Sequence, residues 1–193
     1  MIYYFTPYDS RGLGFAYNSH CELVPRDTDW ICLMDLDVMH FSSQRLGDVL
    51  EETIKLHHPR FAAFTTTTNR AFKSSQQQLK GIREERDLLK LKKRADHQMR
   101  ARQGRVEELK TAINGHFMLF PKSLWKCYPF ATRGGSSNHP GHRFLGIDTD
   151  WRNRLYKAGL RIGVIHQIMS VHYYRLDGSA PIAVTPSSLS DPA

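Results

Sequence analysis

A short apolar run that ends in two carboxylates constrains this chain most. The run Trp-Ile-Cys-Leu-Met begins at Trp30 and is followed directly by Asp35-Leu36-Asp37. Five apolar residues are too few for a globular helix and are typical of a buried central strand. Alternate side chains of a strand share a face, so Asp35 and Asp37 are expected to project together. Open α/β sheets bind their ligands at the carboxyl ends of strands, which is where this pair is expected to lie.

The carboxylate pair has two interpretations. Its oxygens suit a hard divalent cation, Mg²⁺ or Mn²⁺, that neutralises a diphosphate. Alternatively, one aspartate is solvated and the other caps a helix that the apolar pattern predicts over residues 42–57. An Asp-x-Asp tripeptide occurs often by accident, so the spacing alone leaves both interpretations open.

Length and composition indicate one folded domain over residues 1–193. With 40% hydrophobic residues the chain is long enough to bury a substantial core. No apolar run reaches the roughly 18 residues of a membrane span, and residues 1–7 lack the pattern of a signal peptide. Cys21, Cys32 and Cys127 are widely separated and contain no C-x-x-C pair, which favours neither a zinc cage nor disulfides. We therefore expect a cytoplasmic protein.

Predicted strands and helices alternate along the chain, which indicates an α/β fold. Strands are predicted at residues 2–5, 30–34, 61–68, 111–120 and 161–169. Helices are predicted at residues 15–23, 42–57, 121–128 and 148–158. Residues 131–143 form a long polar loop that we expect to act as a mobile lid, and residues 177–193 read as a loose tail.

Nearly all of the net charge lies in one segment. Residues 70–110 contain thirteen lysines and arginines against six aspartates and glutamates, which gives +7 of the total +8. A narrow apolar stripe over residues 74–110 predicts one or two basic amphipathic helices inserted between core elements. Three interpretations remain open: a solvated helix, a contact with an anionic membrane surface, and a track for nucleic acid. The cations of that track would be Lys90, Lys92, Lys93, Arg94, Arg100, Arg102 and Arg105.

Two later motifs extend the pattern begun by Asp35 and Asp37. The stretch from Gly146 to Gly159 contains Gly-Ile-Asp-Thr-Asp-Trp-Arg, and Val-His-Tyr at residues 171–173 follows the next predicted strand. In order and spacing these motifs resemble the GT-A glycosyltransferases, especially the short bacterial and phage-type members of the inverting family 2-like group. The resemblance covers residues 2–175 apart from the basic insert. Ile147 stands where that family usually has an acidic residue.

The resemblance implies a Rossmann-like GT-A sheet that binds a nucleotide-sugar and is flanked by helices, with the basic helical insertion added to it. It implies transfer of a sugar from the nucleotide-sugar, with a UDP-sugar favoured, to a hydroxyl acceptor with inversion. The implied cofactor is Mn²⁺ or Mg²⁺, held by Asp35, Asp37 and His172. An imidazole ligand suits Mn²⁺ better than Mg²⁺, although a lone histidine at a strand end is often structural.

The resemblance also assigns roles around the ion. Asp148 corresponds to the catalytic base, with helix capping as its alternative and Asp150 as its competitor. The expected donor contacts are Asp35 and the residues Thr6, Pro7, Tyr8, Asp9, Arg11, Asn69 and Arg70. On the acceptor side we expect Gly115, His116 and Trp151, although Trp151 equally suits packing between helix and sheet.

The acceptor is expected to be a glycan or hydroxymethylated phage DNA. Two rival functions come from other classes. One is a nucleic-acid-binding module that uses the basic insert without catalysis. The other is a metal-dependent phosphoesterase or nuclease, for which the sequence offers no second cluster of Asp, Glu and His suited to a two-metal site.

Overall fold

The computed structural model describes residues 1–41, 45–69, 85, 87–132 and 146–172, and these form a mixed α/β fold. This confirms the α/β class. The elements in chain order are β1 (Ile2–Phe5), α1 (Leu13–Glu22), β2 (Trp30–Met34), β3 (Val38–His40), α2 (Leu46–His57), β4 (Ala63–Thr68), α3 (Leu88–Ala101), β5 (Val106–Glu108), β6 (Phe117–Pro121), α4 (Lys122–Cys127), α5 (Ile147–Lys157) and β7 (Ile162–His172).

The strands form one curled sheet in the order β1-β2-β6-β4-β7-β3, and β5 also pairs with β7. β1 and β2 are parallel, as are β4 and β7, while β6 runs antiparallel between β2 and β4. The register of β6 places Phe117 opposite Met34. The start of β6 therefore meets the ends of β1, β2 and β4 at one edge of the sheet, which we call the carboxyl edge.

Side-chain alternation along β2 divides the core into two layers. Ile31 and Leu33 face a cluster to which α1, α4 and α5 contribute, whereas Trp30 and Cys32 face a cluster built with α2. The amphipathic helices bury their apolar stripes against these two faces, as their periodicity requires. The apolar run found in the sequence is thus the central strand it was predicted to be, covered on both sides.

The basic insert differs from its prediction. Residues 74–84 and 86 lie outside the described residues, and α3 ends at Ala101 rather than continuing to residue 110. Gly104 then adopts a positive φ of 68°, and β5 joins the sheet antiparallel to β7. The helical prediction was wrong for residues 106–108 because pairing with β7 is a long-range contact that helical periodicity does not report.

α3 packs against the end of β7. Its buried residues Leu91 and Ala95 contact Met169 and Val171, and Phe41 packs against the same cluster. The helix α3 therefore packs on the sheet through its apolar face, and its lysines and arginines lie outside that contact.

β7 is one strand of eleven residues, where the sequence predicted a break after residue 169. Its pairing with β4 shifts register: Thr66 lies opposite Ile165, whereas Thr67 lies opposite Met169. Three residues of β7 thus bulge from the ladder. α3 holds this bulge, because Gln98 Nε2 donates to the carbonyl of His166 at 2.6 Å.

Two other predicted elements begin at different residues in the structure. The strand predicted at 111–120 begins only at Phe117, and the helix predicted from residue 42 begins at Leu46. The expected lid from residue 133 onward and the tail at 177–193 lie outside the described residues. No helix in the described part of the chain is long and apolar enough to cross a membrane.

Candidate active site

The two aspartates of the Asp-x-Asp motif follow β2 at the carboxyl edge. The backbone N–H of Asp35 donates to the carbonyl of His116 at 3.2 Å, which ties the end of β2 to the start of β6. The N–H of Val38 donates to the carbonyl of Asp35, also at 3.2 Å, so the motif forms a tight turn into β3. Both carboxylates are half-buried. β2 ends at Met34, so the carboxylate pair lies on the turn between β2 and β3 and not within the strand, whose alternation was expected to give the two side chains one face.

The third expected metal ligand, His172, is the last residue of β7. β3 pairs antiparallel with the end of β7, and Val38 lies directly opposite His172. The backbone of His172 is thus adjacent to the residue that follows Asp37. The side chain of His172 lies outside the described part of the structure, so the structure brings the three positions together at the level of the backbone.

Asp148 lies in the first turn of α5 and faces the same edge. Its Oδ1 accepts a hydrogen bond from the Thr149 N–H at 2.8 Å. Gly115, just before β6, approaches it so closely that a methyl group there would lie 3.1 Å from Oδ2. Burial raises the pKa of Asp148, partly opposed by backbone N–H groups that favour the charged form. The N-cap residue of α5 is Gly146, so the alternative that Asp148 is the N-cap does not hold, although its carboxylate binds one backbone N–H of the first turn.

Tyr17, which sequence reasoning missed, is a buried core residue that feels the negative charge of both Asp35 and Asp148. This tyrosine of α1 is 2% exposed. Burial raises the pKa of Tyr17, and the negative charges of Asp35 and Asp148 raise it further. Both carboxylates therefore act on the same phenol. No sequence signal marks Tyr17, since an aromatic residue on an amphipathic helix normally belongs to the core.

The turn after β1 lies at the same edge because Phe5 pairs with Leu33 of β2. Asp9 and Arg11 are engaged with each other, with Nη2 of Arg11 2.6 Å from Oδ2 of Asp9. The hydrogen bonds from Arg11 lower the pKa of Asp9 to about 2. Tyr8 is 85% exposed. The turn therefore presents one open aromatic ring and one preformed ion pair beside the carboxylates.

Asn69 closes β4, and its N–H donates to the carbonyl of Ser170 at 3.3 Å. Its side chain is 1% exposed and accepts from the Thr68 hydroxyl, so it supports the edge from within the protein. Arg70, the other expected donor contact on this strand, lies outside the described residues.

His116 is also buried, with 1% of its surface exposed. Its Nε2 lies 3.1 Å from the hydroxyl of Thr66. The side chain therefore enters the protein, and its expected contact with an acceptor is withdrawn. What His116 supplies to the site is the carbonyl that accepts from Asp35.

A buried chain of hydrogen bonds continues from His116 beneath the site. The hydroxyl of Thr66 lies 2.5 Å from that of Ser170, and Ser170 lies 3.2 Å from Nδ1 of His40. Burial lowers the pKa of His40 to about 4, so its ring is neutral near pH 7. The chain joins β4, β7 and β3 with the residue before β6, which are the segments that carry the site.

Trp151 is the clearest correction among the expected site residues. It is fully buried, with its ring centroid 5.0 Å from that of Phe120 and 5.1 Å from that of Phe130. Its Nε1 donates to the carbonyl of Tyr128 at 2.8 Å. The packing alternative accounts for Trp151, and its acceptor role is withdrawn because no ring surface is left for a sugar.

The donor set at the carboxyl edge suits a hard cation. Asp35 and Asp37 supply carboxylate oxygens, the ligands that Mg²⁺ and Mn²⁺ prefer. Among the side chains that the structure describes, which exclude that of His172, no three of His, Cys, Asp and Glu form a metal-binding group. The chemistry of the two carboxylates therefore fits the implied ion.

No protein-family profile and no curated protein matches the chain. The function is therefore argued from the residues at the carboxyl edge.

Proposed function

We propose that the protein is a metal-dependent glycosyltransferase of the GT-A type. The observation that supports this most is the convergence of distant segments on one edge. Asp35 and Asp37 follow β2, Asp148 begins α5, Gly115 precedes β6, and the backbone of His172 pairs beside Asp37. A carboxylate pair suited to a metal ion and a separate half-buried carboxylate are the groups that metal-dependent transfer from a nucleotide-sugar uses.

Each group has a role in this proposal. Asp35 and Asp37, with His172, would hold Mn²⁺ or Mg²⁺ against the diphosphate of a nucleotide-sugar, a UDP-sugar being favoured. When bound, the ion supplies Lewis-acid stabilisation of charge on the leaving diphosphate. Tyr8 and the Asp9–Arg11 pair would border the nucleoside.

Asp148 would act as the general base. The acceptor hydroxyl oxygen attacks the anomeric carbon and forms the new glycosidic bond. The bond from that carbon to the phosphate oxygen breaks, its electron pair leaves with the nucleoside diphosphate, and the hydroxyl proton passes to Asp148. Burial raises the pKa of Asp148, which makes its carboxylate a stronger base. The proposed setting is the cytoplasm of a bacterium or a phage-infected cell, where nucleotide-sugars are formed.

Asp150 provides a matched control for Asp148. Both are acidic residues in the first turn of α5, but Asp150 forms an ion pair with Arg154 at 3.0 Å. The experiment measures release of nucleoside diphosphate from UDP-, GDP- and CDP-sugars with Mn²⁺ and a mixture of hydroxyl acceptors. We expect Asp148→Asn to lower turnover about 100-fold or more, in the range of general-base catalysis, while Asp150→Asn retains most of it. Equal losses in both variants, or no turnover by the unmodified chain with any donor, would count against the proposal.

A further inference from the structure

The exposed face of α3 is strongly basic. The helix contains Lys90, Lys92, Lys93, Arg94 and Arg100 but only one acidic residue, Asp96. Lys92 pairs with Asp96 at 2.5 Å, and Lys90 lies 3.8 Å from Glu85. Within the described residues, Lys93, Arg94 and Arg100 have no carboxylate partner, so the outer face carries uncompensated positive charge.

The packing of α3 places this basic face beside the carboxyl edge. Leu91 and Ala95 contact Val171, which lies opposite Met39 of β3. Met39 is two residues from Asp37. The same strand pair thus carries the basic helix on its flank and the carboxylate turn at its end, an adjacency that the sequence did not reveal.

We infer that the outer face of α3 binds the phosphodiester backbone of a nucleic acid. From Lys90 to Arg100 the helix spans about 15 Å at 1.5 Å per residue. That length matches roughly four phosphates of one strand at 3.4 Å of axial rise each. Lysine and arginine side chains are the groups with which proteins track such a backbone, without reading the base sequence.

The burial pattern favours nucleic acid over a membrane surface. An interfacial helix inserts an exposed apolar face between lipid headgroups. In α3 the apolar face is already used, because Leu91, Ala95 and Met99 are at most 3% exposed against the sheet. Leu88 and Leu89, at the first turn, are the exposed leucines of this helix, which leaves too little apolar surface for insertion.

In combination with the proposed function, this surface would hold a nucleic acid acceptor beside the transferase site. That last step rests on the proposed function, whereas the binding of nucleic acid does not. Binding is therefore measured on the full chain without donor or metal.

The experiment uses a fluorescein-labelled 20-base-pair DNA duplex and fluorescence anisotropy between 50 and 300 mM NaCl. The double variant Lys93→Gln/Arg100→Gln removes two cations from the basic face. The matched control Arg26→Gln/Lys157→Gln removes one lysine and one arginine, both exposed, from the turn before β2 and from α5. Loss of two phosphate contacts should reduce the slope of log K against log salt by about 1.8 and weaken binding roughly 60-fold at 0.1 M salt. The control should bind as the unmodified chain does.

Three results would overturn the inference. They are an equal effect of the two double variants, no duplex binding at 50 mM NaCl, and tighter binding to vesicles of 70% phosphatidylcholine and 30% phosphatidylserine than to the duplex. Failure of the proposed transferase function gives a different experimental result from failure of the inferred binding surface. Loss of turnover with duplex binding intact removes the proposed chemistry only, and loss of duplex binding with Mn²⁺-dependent nucleotide binding intact removes this surface only.

Discussion

The close packing of α1 against residue 131 makes a sharp stability prediction for Gly14→Ala. A Cβ at Gly14 would lie 1.9 Å from the backbone carbonyl oxygen of Ala131. Real Cβ atoms essentially never come within 3.0 Å of such an atom, so the two segments must separate by at least 3.0 − 1.9, or about 1.1 Å. The obstacle is backbone, which no side-chain rotation can move aside.

The cost follows from what holds the two segments together. Asn18 of α1 binds both backbone groups of Phe130, donating to its carbonyl at 2.8 Å and accepting from its N–H at 3.0 Å. Separation weakens these two hydrogen bonds, each worth about 1 kcal/mol, and adds overpacking strain of about 1–3 kcal/mol. Better helix propensity returns up to about 1 kcal/mol. We expect a net loss of about 2–3 kcal/mol in the free energy of unfolding.

Gly47→Ala is the matched control. Gly47 is also the second residue of its helix, but a Cβ there would meet nothing closer than the Tyr4 hydroxyl at 3.5 Å. The same chemical change should be neutral or stabilising by up to about 1 kcal/mol. Urea denaturation followed by circular dichroism measures both variants. An unchanged or raised midpoint for Gly14→Ala would refute the described contact between α1 and residue 131.

Two further predictions concern the stability effects of Asp148 and Trp151. Asp148→Asn should raise the free energy of unfolding at pH 7. The folded state binds this proton more tightly than the unfolded state, so the charged group lowers stability as pH rises through the raised pKa, and the gain should vanish in urea titrations at acid pH. Trp151→Phe should cost about 2–4 kcal/mol, because it leaves a cavity and deprives the Tyr128 carbonyl of its donor, as urea unfolding would report. A variant of Trp151 with normal stability but impaired sugar binding would restore the acceptor role withdrawn above.

The sequence could predict the parts of this fold that depend on local pattern. β2 was predicted because its continuous apolar run is too short for a helix and ends clearly at Asp-x-Asp. The helix predicted at 148–158 ends where expected, and Gly159, the residue after it, adopts a positive φ of 79°. These features need only a few neighbouring residues.

Other parts depend on contacts between distant residues, which no local pattern reports. The bulge in β7 is bound by Gln98 of α3, which lies sixty-eight residues before it in the chain. The approach of Gly115 to Asp148 depends on how α5 sits over the start of β6. Trp151 illustrates a further limit. The sequence alone does not distinguish a tryptophan that contacts a ligand from one that packs in the core, because the two differ only in burial.

The most direct test of the account is Mn²⁺-dependent nucleotide binding at the carboxyl edge. Isothermal titration calorimetry would follow UDP, GDP and CDP with and without Mn²⁺ in the unmodified chain, in Asp37→Asn, and in the control Asp27→Asn. Asp27 is an exposed aspartate paired with Lys126, before β2 and away from the carboxyl edge. The account predicts that one nucleoside diphosphate binds only with Mn²⁺, that Asp37→Asn abolishes this binding, and that Asp27→Asn retains it. Absence of Mn²⁺-dependent binding by the folded, unmodified chain, or its persistence in Asp37→Asn, would contradict the account.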